Sequence, residues 1–126
     1  MGPDMPIDPL PKLRELCLAL PEATEKEAWG QPTFRVRNKM FAMYSDNHHG
    51  DGITAVHCKA EPGVQDILIQ TDPTRFYKPP YVGPSGWIGV RLDIAVDWDE
   101  LQDFLEDSYC LVAPKKIAAL LDPTAP

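Results

Sequence analysis

The chain has 126 residues, of which 44% are hydrophobic and 25% charged, a composition that excludes a disordered or fibrous protein. It carries 19 acidic and 12 basic residues, for a formal net charge of −7, which argues against an evenly spread nucleic-acid-binding surface. The length suits one domain, which we assign to residues 1–126 with a core at about 9–121.

The cellular compartment is indicated by three features of the sequence. The N-terminal segment lacks the basic stretch and uninterrupted apolar stretch of a targeting signal. No apolar run is long enough to span a bilayer. The three cysteines, Cys17, Cys58 and Cys110, have no CxxC spacing, and their odd number suggests reduced thiols. We therefore expect a cytoplasmic monomer that does not enter a membrane.

The first half of the chain predicts one helix followed by a block of strands. Leucines and Cys17 recur at helical spacing between Asp8-Pro9, which starts the helix, and Pro21, which ends it. Alternating polar and apolar residues then predict strands at about residues 33–37 and 53–59, and the apolar, aromatic run at 40–44 predicts a strand between them. We assign the first strand of this block to about residues 24–29. Between the second and third of these strands, Asn38-Lys39 predicts a tight hairpin turn.

The next segment predicts a short helix, a long loop and one more strand. The helix begins at Glu61-Pro62, and we expect Val64, Ile67 and Leu68 on its buried face. Residues 71–86 contain four prolines and two glycines, and a connection of this length within a domain is often functional. A strand is then predicted at about residues 87–92.

Two helices complete the predicted fold. Asp97, followed three positions later by Glu100, forms a capping-box-like helix start, and Ala113-Pro114 starts the last helix. The order α-β-β-β-β-α-β-α-α indicates an α+β fold, in which helices pack on one face of an antiparallel sheet of about five strands. The residues expected to meet in one core are Leu13, Leu16, Phe34, Val36, Phe41, Trp87, Phe104 and Leu105.

Four short segments give the chain a family resemblance. They are Trp29 to Val36, Lys39-Met40-Phe41-Ala42, Tyr81 with Gly86-Trp87-Ile88, and Ser108-Tyr109. In this order and spacing they resemble the MmcQ/YjbR-like family over about residues 10–121. The resemblance implies a frataxin-like (CyaY-like) fold and a proposed role as a DNA-binding protein with a double-wing arrangement of hairpins. It implies no established enzymatic activity and no catalytic residues.

One departure from the family pattern concerns the first hairpin turn. Family members often carry Gly-Lys there, whereas this chain has Asn38-Lys39. Because asparagine tolerates positive φ almost as well as glycine, we expect the turn to be kept.

The distribution of charge predicts a basic surface. Residues 93–107 contain seven acids and no lysine or arginine, whereas residues 33–45 and 73–92 contain bases and no acid. A basic hairpin of this kind could contact phosphates, because alternate strand residues project from one face. The predicted nucleic-acid-binding residues are Arg35, Arg37, Lys39 and Lys78. The alternative is that they are solvated strand residues, some of them paired with the acidic helix.

The aromatic segment 71–87 suggests a second kind of site. Aromatic and cationic side chains alternate there, as suits a small anionic ligand or a protein partner. The candidate ligand-binding residues are Arg75, Tyr77, Tyr81 and Trp87. The alternative is that Phe76, Tyr81 and Trp87 pack mostly into the core and leave Tyr77 and Lys78 exposed.

The sequence favours a binding protein without metal, cofactor or catalytic site. His48 and His49 are adjacent and have no zinc-type spacing to His57 or Cys58, so we expect no metal. The sequence contains no nucleotide-binding or catalytic motif among GxSxG, HExxH, GxGxxG and the Walker loop. DNA binding by the basic hairpin is the leading hypothesis, and an adaptor that uses the aromatic loop is the alternative.

Overall fold

A computed structural model describes residues 8–47, 50 and 52–121. The strands are β1 (Ala23–Ala28), β2 (Gln31–Val36), β3 (Lys39–Asp46), β4 (Thr54–Lys59), β5 (Phe76–Tyr77) and β6 (Trp87–Arg91). The helices are α1 (Leu10–Leu18), α2 (Val64–Thr71), α3 (Trp98–Val112) and α4 (Lys115–Ala118). Within these described residues, no helix has both the length and the apolar character needed to cross a membrane.

The strands form one sheet in the order β1-β2-β3-β4-β6-β5, and all neighbouring strands are antiparallel. The first four strands are consecutive hairpins, and β6 returns beside β4 after α2. The predicted α+β fold is thus confirmed, with six strands instead of about five. The additional strand is β5, whose two residues are too few to show a periodicity in the sequence.

Helix α3 packs across β3 and β4 and closes the core. Its start is the predicted one, because the Asp97 side chain accepts a hydrogen bond from Glu100 N at 3.1 Å. The buried Tyr109 ring lies edge-on to Phe41, with ring centroids 5.4 Å apart. Its hydroxyl donates to the Pro21 carbonyl at 2.6 Å, which ties α3 to the segment after α1. The tyrosine of the Ser108-Tyr109 pair therefore has a structural role.

The core lies between the sheet and the helices, as predicted, with one exception. Leu13, Phe34, Val36, Phe41 and Leu105 are fully or almost fully buried in it, and Leu16 and Phe104 pack against it. Trp87 is buried as predicted, but it lies outside this cluster of core residues. Its neighbour in β6, Ile88, is in the core, and successive strand side chains point to opposite faces.

The hairpin turn between β2 and β3 lies one residue earlier than predicted. Arg37 and Asn38 occupy it with φ of 49° and 65°, and Lys39 already begins β3. Two successive residues at positive φ are the mark of a type I′ turn, whose twist matches that of the flanking strands. Arg37 is consequently a turn residue, so strand alternation does not place it on one face with Arg35.

Helix α2 was predicted to bury Ile67, and this was wrong. The Ile67 side chain is 64% exposed, while Leu68 and Ile69 are the residues that pack against the core. A helix of eight residues that lies at the surface buries only a narrow stripe, and here that stripe is displaced by one position.

Candidate ligand-binding site

The register of the sheet assigns the strand side chains to two faces. Ala42, Cys58 and Ile88 are successive cross-strand partners and belong to the core on the helix side. The neighbouring row, Met43, His57 and Gly89, therefore lies on the opposite face. This opposite surface, here named the open face, consists of Thr24, Lys26, Ala28, Gln31, Thr33, Arg35, Met40, Met43, Ser45, Ala55, His57, Lys59, Tyr77, Trp87, Gly89 and Arg91.

A register shift in β3 brings Met40 to the open face. Phe34 pairs with Ala42 but Arg35 pairs with Met40, so β3 has one residue more than β2 at this point. Both Phe41 and Ala42 are consequently in the core. Ser108 of α3 satisfies the backbone beside the shift, since its hydroxyl donates to Phe41 O at 2.6 Å and accepts from Lys59 N at 2.8 Å.

One row of the open face joins three strands through side chains. Tyr77 on β5 and His57 on β4 are both cross-strand partners of Gly89 on β6. The Tyr77 ring lies over Gly89, where an added Cβ would be 2.4 Å from a ring carbon. The Tyr77 hydroxyl is thereby 2.8 Å from His57 Nε2. The absence of a side chain at Gly89 is thus what lets tyrosine reach histidine.

A cavity of about 340 Å³ opens on this face beside His57. It is lined by Trp29, Met40, Met43, His57, Pro80, Tyr81 and Val82. All of these except His57 are apolar or aromatic, and the volume is within the range of small-molecule sites. The cavity thus offers an apolar site with one polar, titratable group, which is held by Tyr77.

Two large aromatic side chains at the cavity are exposed and conformationally strained. Trp29 is 66% exposed and has φ of 54°, and Tyr81 is 80% exposed and has φ of 67°. Positive φ in a bulky residue costs on the order of 1–3 kcal/mol and concentrates at functional sites. The expectation that Tyr81 packs into the core was therefore wrong. Phe76, in β5, is by contrast buried in the core as expected.

The loop that carries Tyr81 is fastened to its surroundings. The Gln65 amide of α2 donates to Gly83 O at 2.8 Å and to Trp87 O. Lys78 lies against Gly83, where an added Cβ would be 2.6 Å from Lys78 Cγ. The side of the cavity formed by Pro80, Tyr81 and Val82 is thus supported by a helix as well as by the sheet.

The predicted nucleic-acid-binding residues have different surroundings. Lys39 and Lys78 are exposed, and half-buried Arg35 donates from Nε to Thr33 Oγ1 at 3.1 Å. Arg37 forms an ion pair with Glu22 at 2.7 Å, and this hydrogen bond holds the pKa of the Glu22 carboxyl below its ordinary value. The structure thus brings Arg35 to the open face and occupies Arg37 with a carboxylate.

Of the four predicted ligand-binding residues, Tyr81 lines the cavity and Tyr77 contacts it through His57. Arg75 pairs with Asp72 and Glu100 at 2.8 and 2.7 Å and lies over the Phe76 ring, which is a structural arrangement. Trp87 is buried opposite Lys59.

Sequence reasoning missed most of the lining, namely Trp29, Met40, Met43, His57, Pro80 and Val82. The one available signal was the Trp29-Gly30 dipeptide, since a two-residue turn there presents a tryptophan at its tip.

Within residues 8–47, 50 and 52–121, no three His, Cys, Asp or Glu side chains are grouped as metal ligands. His48 and His49 lie outside the described residues. Burial raises the pKa of Cys17, and it raises that of Cys58 to about 12, so both thiols stay protonated at neutral pH.

Comparison with known proteins supports the fold and gives the family. The chain resembles the crystal structure of Deinococcus radiodurans protein DR2400, which is described by the domain name DUF419, with a TM-score of 0.72. This likeness covers 89% of this chain and 83% of that one at 24% sequence identity. Among curated proteins, no sequence matches. The sequence profile named YjbR matches residues 18–111, from the end of α1 to near the end of α3, and the chain therefore belongs to the YjbR family.

Proposed function

We propose that this chain is a ligand-binding protein that takes a small, planar, apolar molecule into the open-face cavity. The observation that carries the proposal is that Trp29 and Tyr81, both exposed and both at positive φ, line the same cavity. Two strained, solvent-facing aromatics lower the stability of the empty protein, and a bound flat molecule would use both surfaces.

The lining favours this class of ligand over a polar one. Met40 and Met43 provide flexible, polarisable surface under the cavity, which adapts to different apolar shapes. His57 is the polar group of the lining and is held at Nε2 by Tyr77. Such a site, mostly apolar with few fixed polar groups, is typical of small-molecule recognition.

The test uses N-phenyl-1-naphthylamine, a neutral aromatic probe that fluoresces in apolar surroundings. We expect saturable binding to the native protein, and we expect Tyr81→Ala to weaken it by about fivefold, as for loss of one aromatic contact. Unfolding in urea should be little changed, because Tyr81 is mostly exposed. Leu120→Ala is the matched control, since Leu120 is exposed outside the cavity. Absence of binding, or equal affinity in Tyr81→Ala, would contradict the proposal.

DNA binding is the second candidate function. The observation in its favour is that Arg35, Lys39 and Lys78 have no carboxylate in ion-pairing distance among the described residues. Arg37 would have to leave Glu22 to contribute. If all four cations contact phosphates, a plot of the logarithm of the association constant for duplex DNA against the logarithm of salt concentration would have a slope of about −3 to −4, because each neutralised phosphate releases counterions.

The DNA titration has a charge-matched control. Replacing Arg35 and Lys39 with alanine should flatten the salt slope by about two units. Replacing Lys115 and Lys116 with alanine removes the same charge from α4 and should leave the slope unchanged. If duplex DNA does not bind at low salt, or if both double variants behave alike, this second function is wrong.

A further inference from the structure

The charged residues of the open face all have one sign. They are Lys26, Arg35, Lys59 and Arg91, and no strand position on this face carries a carboxylate. The carboxylates of the described strands, Glu25, Glu27 and Asp46, belong to the helix side by the same register. In a chain with a net charge of −7, this cationic face is set apart from the acidic remainder of the molecule.

Arg35 differs from the other four arginines of the chain. Each of those pairs with a carboxylate: Arg14 with Glu25, Arg37 with Glu22, Arg75 with Asp72 and Glu100, and Arg91 with Asp93. Within the described part of the chain, no carboxylate lies in ion-pairing distance of the Arg35 guanidinium. Its positive charge is therefore uncompensated although the side chain is half-buried.

Arg35 is also placed beside the cavity and held there. It is the cross-strand partner of Met40, which lines the cavity, so the two side chains are neighbours on the same face of the sheet. Its Nε donates to Thr33 Oγ1 at 3.1 Å, and Thr33 Oγ1 in turn donates to Lys26 O. Its Nη1 is 3.5 Å from Asn38 O. These contacts orient the guanidinium without neutralising it.

We infer that the ligand of the open-face cavity is an organic anion. This inference rests on the proposed function and names its ligand class: a planar apolar body with one carboxylate, sulfonate or phosphate group that Arg35 binds. A guanidinium fork suits such oxygens, and a charge-assisted hydrogen bond beside an apolar cavity is stronger than in open water. Arg35 is thus the residue that selects the acidic group, while Trp29 and Tyr81 hold the flat body.

The experiment compares two probes that share one ring system. 8-Anilinonaphthalene-1-sulfonate carries a sulfonate, and N-phenyl-1-naphthylamine lacks it. We expect the sulfonate probe to bind more tightly at about 20 mM salt, and the difference to shrink at about 500 mM salt as screening increases. Arg35→Gln should weaken the sulfonate probe about tenfold and change the neutral probe less than about twofold.

Two further variants complete the test. Arg35→Lys keeps the charge but not the fork, so it should retain part of the preference, and it replaces Arg35→Gln if that variant does not fold. Lys115→Gln removes one charge from α4, away from the open face, and should change neither probe.

The outcomes separate this inference from the proposed function. If the neutral probe binds as well as the sulfonate probe, or if Arg35→Gln weakens both equally, the anion inference is overturned and the apolar site remains. If neither probe binds the native protein, both are overturned. A sulfonate preference that depends on Arg35 and falls with salt supports the inference.

Discussion

At the scale of single residues, Gly89 determines the arrangement below the cavity. It has no conformational need to be glycine, because its φ is not positive. Its need is steric, since the Tyr77 ring crosses it to place the hydroxyl 2.8 Å from His57 Nε2. A tyrosine lying over a glycine in this way restores the apolar contact that the missing side chain would have made.

We predict that Gly89→Ala lowers the free energy of unfolding by about 1–3 kcal/mol, because the new methyl group displaces the ring. Urea denaturation measures this change. In a Tyr77→Ala background the ring is absent, so the same substitution should cost much less, and the difference is the coupling energy of the pair. Equal costs in both backgrounds would show that Gly89 is needed for another reason.

At the scale of elements, the two-residue turns show how far sequence patterns extend. The turns Trp29-Gly30 and Arg37-Asn38 each end in a residue that tolerates positive φ, but each begins with one that does not favour it. Asn38 therefore indicated a turn, one position out of register. Nothing in the sequence indicated that the Trp29 backbone is strained, because a pattern of residue types does not specify backbone dihedral angles.

The predictability of the other elements follows from the length of their patterns. Helices α1 and α3 and strands β2, β4 and β6 were predicted because each repeats its period long enough to be recognised. Strand β3 was predicted from its continuous apolar and aromatic run, and α4 from the Ala113-Pro114 start. The two-residue strand β5 was not predicted, and the buried face of α2 was predicted incorrectly at Ile67.

The cavity could not be predicted because its residues come from separate segments. Trp29 is in a turn, Met40 faces the cavity through a register shift, and Tyr81 is held on a supported loop. None of these three features has a sequence period, so only the assembled sheet reveals the site.

Trp29→Asn separates stability from binding in the β1–β2 turn. Asparagine favours positive φ, so we predict a free energy of unfolding that is unchanged or higher by up to about 1 kcal/mol. The same variant should weaken N-phenyl-1-naphthylamine, because one aromatic side of the cavity is lost. Thermal unfolding and fluorescence titration measure the two effects. A clear loss of stability would mean that the indole supports the fold instead of a ligand.

At the scale of the whole molecule, the acidic and basic groups are segregated. Helix α3 has carboxylates along its length and no base, while the strand positions of the open face carry cations and no carboxylate. Because of this segregation, some carboxylates are stabilised by basic or hydrogen-bonding partners, whereas others are repelled by neighbouring carboxylates. Hydrogen bonds hold the pKa of three carboxyls below their ordinary values: the bond from Arg37 does so for Glu22, those from Thr74 and Arg75 for Asp72, and the bond from Arg91 for Asp93. Burial and the nearby acids Glu61, Asp103 and Glu106 raise the pKa of Asp107.

These opposite shifts predict how stability depends on pH. A carboxyl whose pKa is lower in the folded state stabilises the fold above its unfolded pKa of about 4, and this contribution disappears as pH falls through the folded value. Asp107 acts in the other direction, because its raised pKa makes the charged form unfavourable in the folded protein. Stability therefore rises as pH falls through the folded pKa of Asp107 towards its unfolded pKa of about 4, because the folded protein takes up the proton first.

We accordingly predict a stability maximum on the mildly acidic side of neutral, followed by a steep loss below about pH 4. Urea unfolding between about pH 2 and 8 would locate both features. Asp107→Asn should raise stability at pH 7 and remove the increase on mild acidification, because it abolishes the unfavourable charge. Asp93→Asn should instead lower stability at pH 7 and reduce the acid loss, since it breaks the 2.9 Å pair with Arg91. If Asp107→Asn lowers stability at pH 7, the prediction is wrong. The ionised Asp107 carboxylate would then be stabilised in the folded protein by groups other than those that raise its pKa.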